Sequence, residues 1–245
     1  MNAMYRHISS FLGSLANFVF PPFCSHCHLR APEGLAGGIC QDCWSTVKIW
    51  KNGQCQRCGQ PAAEAESLCQ HCLIPDWGCN DIKTLGPFEA PLSDAVHMLK
   101  YSDAKSVSRR LGAMMAKCVV SDQRYNKADL VLAVPLHKAR KRERGYNQAQ
   151  LLAEQLGKSL GIPSPEGLVT RARHTRSQTT LNKEQRLRNV EGIFAVHNPD
   201  RIKDRSIILV DDVLTTGATI GSCGQSLLLA GAREVLAMTA AAAPL

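Results

Sequence analysis

Eight of the chain's eleven cysteines fall into four Cys-x-x-Cys pairs: Cys24/Cys27, Cys40/Cys43, Cys55/Cys58 and Cys69/Cys72. Nothing else in the sequence restricts the fold as severely. Two thiols three residues apart suit one tetrahedral metal ion, and a second such pair completes its shell. Residues 24–79 hold nine cysteines and little apolar periodicity, so metal has to supply much of the folding free energy there. Four successive pairs argue for zinc in a reducing compartment rather than for disulfides. Taken in order, Cys24, Cys27, Cys40 and Cys43 form one site, and Cys55, Cys58, Cys69 and Cys72 form another. An interleaved arrangement would use the same eight ligands. His26, His28 and His71 lie in or beside the pairs, but a full set of thiolates makes them bystanders. Cys79, Cys118 and Cys223 stand alone and read as buried or spare thiols.

Two knuckles separated by a short loop make a zinc ribbon, closed to substrate and therefore structural. The sequence thus predicts a double ribbon over 24–79, an architecture that serves DNA, RNA and protein contacts alike. Zinc also changes the charge. The formal +8 drops to about +4 once two zinc ions hold eight thiolates, because metal-bound cysteines are deprotonated. Any anion site must then come from local clustering of cations. Ahead of the ribbon, residues 1–23 place Met4, Ile8, Phe11, Leu15 and Phe18 at helical spacing. No segment reaches the ~18 unbroken apolar residues of a membrane span, and no small-residue cleavage site precedes "FPPFC". These features predict a cytoplasmic protein whose first helix packs on a neighbour. Shallow attachment at the inner face of the membrane is the alternative.

From residue 80 to 245 the pattern alternates between helices and strands. "APLSDAVHMLKYSDAKSVSRRLGAMMAKCV" reads as helical, "DLVLAVP" as a buried strand and "NQAQLLAEQLGKSLG" as an amphipathic helix closing near Gly161. "SIILV" is a second buried strand, followed by a loop, the helix "IGSCGQSLLLAG" and a closing strand "EVLAMTAAA". Strands alternating with helices imply an α/β fold, a doubly wound parallel sheet with helices on both faces.

Ligands of such a sheet bind beyond the carboxyl ends of its strands. There "IILVDDVLTTGATI" sets two acids, Asp211 and Asp212, just before Thr215, Thr216, Gly217, Ala218 and Thr219. A helix start offers free N–H groups and a positive dipole end to a phosphate. Carboxylates only accept hydrogen bonds, so they suit a diol or a hydrated metal. A sugar phosphate with vicinal hydroxyls satisfies both halves. This pattern resembles the phosphoribosyl-pyrophosphate motif of the type I phosphoribosyltransferases. That resemblance implies Mg²⁺ bridging the pyrophosphate and the sugar hydroxyls.

Two basic clusters accompany the motif. The first, "LHKARKRERGYNQ", packs Lys138, Arg140, Lys141, Arg142 and Arg144 together after the first recognised strand. As a loop it would face the ligand edge and hold pyrophosphate, whereas as a helix it would be a solvated charge run. Gly145, Tyr146, Asn147 and Gln148 favour the loop. The second cluster holds Arg171, Arg173, Arg176, Lys183, Arg186 and Arg188, and reads as a hood over the pocket or a track for a nucleic-acid backbone. Aromatic residues make up only 5% of the chain, so Trp44, Trp50 and Tyr146 are the few stacking candidates.

The ordered blocks "FPPFCSHC", "LKYSDA", "PLHKARKRERGYNQA", "RARHTRSQTTLNKEQRLRNVEGIF" and "LVDDVLTTGAT" resemble the ComF/GntX family over nearly the full chain. That family is associated with natural competence and the use of external DNA as a nutrient. The resemblance implies a zinc ribbon, here doubled, joined to a phosphoribosyltransferase-like domain. It implies Asp211 and Asp212 on the ribose hydroxyls or their Mg²⁺, and Thr215 to Thr219 on the 5-phosphate. Arg142, Arg144, Asn147 and Gln148 would line the pyrophosphate side, with Lys100 and Tyr101 reaching the same pocket. Three functions follow: a DNA-utilisation factor that binds phosphoribosyl pyrophosphate and single-stranded DNA, a working phosphoribosyltransferase on an unidentified base, and an adaptor whose ribbon docks a helicase-like competence motor.

Overall fold

The computed structural model describes residues 23–31, 35, 38–50, 55, 78–101, 104–171 and 193–243. The predicted N-terminal helix of residues 1–23 lies outside them except for Phe23. In chain order the elements are α1 (Gln41–Ser45), β1 (Asp81–Thr84), α2 (Leu92–Tyr101), α3 (Ala104–Val119), α4 (Gln123–Asn126) and β2 (Leu130–Ala133). There follow α5 (Lys138–Arg144), α6 (Gln148–Leu160), β3 (Val169–Arg171), β4 (Phe194–Val196), β5 (Ser206–Leu214), α7 (Ala218–Leu229) and β6 (Glu234–Ala242).

Four strands form one sheet in the order β1-β6-β5-β2, parallel throughout. Both faces are covered, which is why residues 207–210 of β5 and 235–238 of β6 read as apolar runs. Alternate residues of a strand point to opposite sides, and the core divides accordingly. Ile208 and Val210 join Leu99, Leu111 and Leu152 of α2, α3 and α6, while Ile207 and Leu209 join Ile220, Cys223 and Leu227 of α7. Helices on both faces of a parallel sheet are the predicted α/β arrangement.

The 30-residue helical stretch carries α2 and α3, and residues 102–103 between them lie outside the described residues. Two local readings change. The run at 130–133 is not the first strand, because β1 precedes it at the opposite edge of the sheet. An antiparallel pair, β3 with β4, stands apart from the main sheet. These added strands are only three or four residues long, too short to give a period.

At the other end of the described chain, Cys40 precedes α1, and Cys43 and Trp44 are buried within it. Ile39, Trp44 and Val47 belong to the same core as Leu92, Val96 and Leu99 of α2. His26 Nδ1 lies 2.7 Å from Asp94 Oδ2 of the same helix. The ribbon thus braces α2 directly, and Trp44 is a core residue rather than an exposed stacking platform.

Candidate functional site

β5 does not stop at its apolar run. It continues through both acids to Leu214, because the long β6 keeps supplying partners as far as Ala242. Pairing with β2 ends earlier, at Ala133 and Val210. Asp211 and Asp212 therefore sit inside an extended strand whose β2 flank has run out, rather than in the loop beyond it. They are consecutive strand residues with different neighbours, yet their side chains still interact with each other.

Asp211 lines a cavity of about 40 Å³ with Thr215, Gly217, Thr219 and Thr239. Burial and the adjacent charge of Asp212 push its carboxyl well above the ordinary carboxylate range. Its Oδ1 accepts the backbone N–H of Asp212 at 2.8 Å. Gly217 takes a left-handed φ of 73° as it turns the chain into α7. The side chains of Thr215, Thr216, Ala218 and Thr219 are exposed around that turn. Thr216 Oγ1 accepts from the Ala218 N–H at 3.5 Å. The cavity thus joins one carboxylate to hydroxyls at the N-terminus of a 12-residue helix, the chemistry a phosphorylated polyol requires. Thr239 was missed in the sequence; its only signal is a hydroxyl within the apolar run "EVLAMTAAA".

Asp212 belongs to a different group. Its Oδ2 lies 2.9 Å from Lys100 Nζ and 3.4 Å from Gln148 Nε2, and its Oδ1 accepts the Val213 N–H at 2.8 Å. Arg144 extends the chain of contacts, donating to Gln148 Oε1 at 3.0 Å and to the Tyr101 hydroxyl at 3.2 Å while stacking over the Tyr101 ring. Five residues distant in sequence, Lys100, Tyr101, Arg144, Gln148 and Asp212, are thereby linked.

The expected pyrophosphate loop is instead the helix α5, with no buried residue. Gly145 (φ 80°) closes it in the left-handed conformation, which glycine adopts without strain. Asn147 caps α6 by accepting from the Ala149 N–H, and its amide donates to the Val134 carbonyl. The residues that favoured a loop are a helix stop and a helix start. Arg142 is exposed on α5, apart from the Asp212 group.

The thiols of Cys24, Cys27, Cys40 and Cys43 all lie within 4.8 Å of one another. Sulfurs at the corners of a zinc tetrahedron stand about 3.8 Å apart, given Zn–S bonds of about 2.3 Å. Cys24 to Cys43 measures 3.8 Å and Cys27 to Cys40 3.9 Å, so the donor set fits zinc in the sequential grouping. The Cys40 N–H points at Cys24 Sγ from 3.3 Å. Against the opposing effect of burial, N–H groups of Cys40, Cys27 and His26 lower the Cys24 thiol to about 6, favouring the thiolate that metal needs. His26 is committed to Asp94 rather than to the thiols. Cys55 is buried against the α7 side of the sheet core; Cys58, Cys69 and Cys72 lie outside the described residues. Of the second basic cluster, Arg171 stands at the end of β3 with its guanidinium over the Phe194 ring. Arg173, Arg176, Lys183, Arg186 and Arg188 are outside the described residues. No helix among the described residues is long and apolar enough to cross a membrane.

A family model described as a double zinc ribbon domain matches residues 15–73. The DNA utilization protein YhgH of Shigella flexneri is 33% identical over 221 residues, 88% of this chain and 94% of that one. Competence protein F of Haemophilus influenzae is 30% identical, over 86% of this chain and 93% of its own. Among solved structures, the glutamine phosphoribosylpyrophosphate (PRPP) amidotransferase from B. subtilis gives a TM-score of 0.41 at 20% identity, over 60% of this chain and 30% of that one. A zinc ribbon followed by a parallel α/β sheet, with this likeness along most of its length, places the chain in the ComF/GntX family of competence and DNA-utilization proteins.

Proposed function

We propose that the protein acts in DNA utilisation and binds phosphoribosyl pyrophosphate, or a closely similar sugar phosphate, at the Asp211–Thr219 segment. The observation that carries this is the single cavity shared by Asp211, Thr215, Gly217 and Thr219 at the start of α7. The 5-phosphate meets the helix N-terminus and the threonine hydroxyls, and the ribose hydroxyls donate to Asp211. Mg²⁺ commonly keeps several waters and takes only one or two protein carboxylates beside substrate phosphates; Asp211 fits that donor set, and the ion would neutralise pyrophosphate charge. Asp212 serves differently. Held by Lys100 and Gln148, it fixes the position of the strand end and of the Arg144 side chain. The cations of α5 and the arginines from Arg171 onward give single-stranded DNA a salt-sensitive surface.

Calorimetric titration of phosphoribosyl pyrophosphate with Mg²⁺ into zinc-loaded protein tests the reading. Binding is expected in the wild type, at least tenfold weaker in Asp211→Asn, and less affected in Asp212→Asn. Absence of heat from folded, zinc-replete wild type sinks it. Pyrophosphate release on adding an acceptor base, measured in the same samples, separates transfer from binding.

A further inference from the structure

A second cavity, larger than the one at Asp211, has no role in the reading above. Its volume is about 350 Å³, within the ~300–1,000 Å³ range of small-molecule sites. It shares no lining residue with the Asp211 cavity. β2 is the edge strand of the sheet, and the cavity is walled by β2, α5, the start of α6 and β3.

Its chemistry is graded. Leu132, Leu136 and Leu168 give apolar walls. Gln150 supplies an amide; it is only 8% exposed, and its Nε2 is engaged by Glu154 at 3.2 Å. Lys138, Lys141 and Arg171 bring three cations, against one lining carboxylate, Glu166. One polar atom of the lining is buried without a hydrogen-bond partner: Nε of Arg171. Buried polar atoms are seldom left unpaired, and a guanidinium N–H wants an anion.

Apolar walls that accept a flat ring, an amide for the ring's edge and cations for a phosphate together describe a site for one nucleotide. Proteins that take a single base out of a strand read it with these elements. We propose that this cavity binds a nucleoside monophosphate unit, with its base between the leucines and its phosphate at Lys138, Lys141 and Arg171. The unit comes either free or as the 5′-phosphorylated end of a single strand. This extends the polyanion part of the proposed function and is independent of ligand binding at Asp211.

The test titrates thymidine 5′-monophosphate into the full-length zinc-loaded protein and its variants. Binding is expected in the wild type, at least tenfold weaker in Lys141→Glu and abolished in Val169→Trp, which fills the cavity. Asp211→Asn is expected to bind it as the wild type does. Lys141 is exposed, so that variant reports binding even where Val169→Trp fails to fold. A 5′-phosphorylated oligothymidylate that displaces the mononucleotide, when its unphosphorylated twin does not, assigns the strand end. Failure of both strands to compete assigns the free nucleotide. No saturable binding of the mononucleotide, or binding indifferent to both variants, overturns the proposal. In that event phosphoribosyl pyrophosphate binding by the same sample still decides the Asp211 reading separately.

Discussion

Around the Cys24–Cys43 thiols, the large apolar side chains buried among the described residues are Ile39, Trp44 and Val47, all of them packed against the neighbouring helix layer. The sheet beside them buries runs such as Ile207–Val210 and Val235–Met238 almost completely. One region holds its shape through a metal ion and a borrowed core, the other through two faces of its own. The difference teaches where each is vulnerable: the ribbon to loss of one ligand, the sheet to loss of packing. It also shows why Asp211 and Asp212, placed in the sheet, have fixed positions: a rigid paired strand carries them.

The sharpest way to break the comparison is to remove metal. Structural zinc contributes on the order of 10 kcal/mol or more to folding at neutral pH. Cys40→Ser, or chelation, is expected to release zinc and open the ribbon to protease, while far-UV circular dichroism retains the sheet and helix signal. Collapse of the whole spectrum would mean that the sheet depends on the metal too. Next comes the shared core. Trp44 is 3% exposed, and Trp44→Ala should cost about 3–5 kcal/mol in a chemical melt, without loss of zinc stoichiometry.

Asp211 works in the opposite direction. Its carboxyl is raised on folding by burial and by Asp212, so the folded state prefers it protonated. This site is then most stable at pH values below its unfolded value of about 3.9. The stability falls as pH rises from there through the raised folded value. Asp211→Asn should therefore stabilise the protein near pH 7 by about 1–3 kcal/mol while weakening the sugar-phosphate site. The advantage over wild type should shrink as the pH is lowered, which thermal melts from pH 4 to pH 8 would reveal. Smallest is the half-exposed pair between the regions. Asp94→Asn is expected to cost no more than about 1 kcal/mol and to leave zinc content unchanged; a loss of zinc would make His26 part of the metal site.

Much of this was legible in the residues, for reasons that differ by region. The ligand cysteines follow from spacing, their sequential grouping from the structure, and the helix after Asn147 from an N-cap, an apolar stripe and Gly161. β5 was legible only to Val210, because polarity after that point looks like a strand end. Its continuation depends on β6, a partner 28 residues further on in register (Val210 opposite Met238, Asp211 opposite Thr239). That continuation is what gives the two acids different neighbours, a consequence invisible while they are read as loop residues. The Lys100–Asp212 contact spans over a hundred residues and carries no local signal. The basic run on α5 misled in another way: Gly145 and Asn147 were taken to mark irregular backbone, and they mark the two ends of a helix junction.

Helix α2 has a property that neither region shows by itself. It is ten residues long, about 15 Å at the usual rise. Near its start Asp94 holds the His26 knuckle, and at its end Lys100 holds Asp212. It is a short strut contacted at both ends, one contact on the ribbon and one on the carboxylate strand. Linkage makes such an arrangement reciprocal. Whatever factor zinc adds to the affinity at the carboxylate end, a ligand there returns to the affinity for zinc.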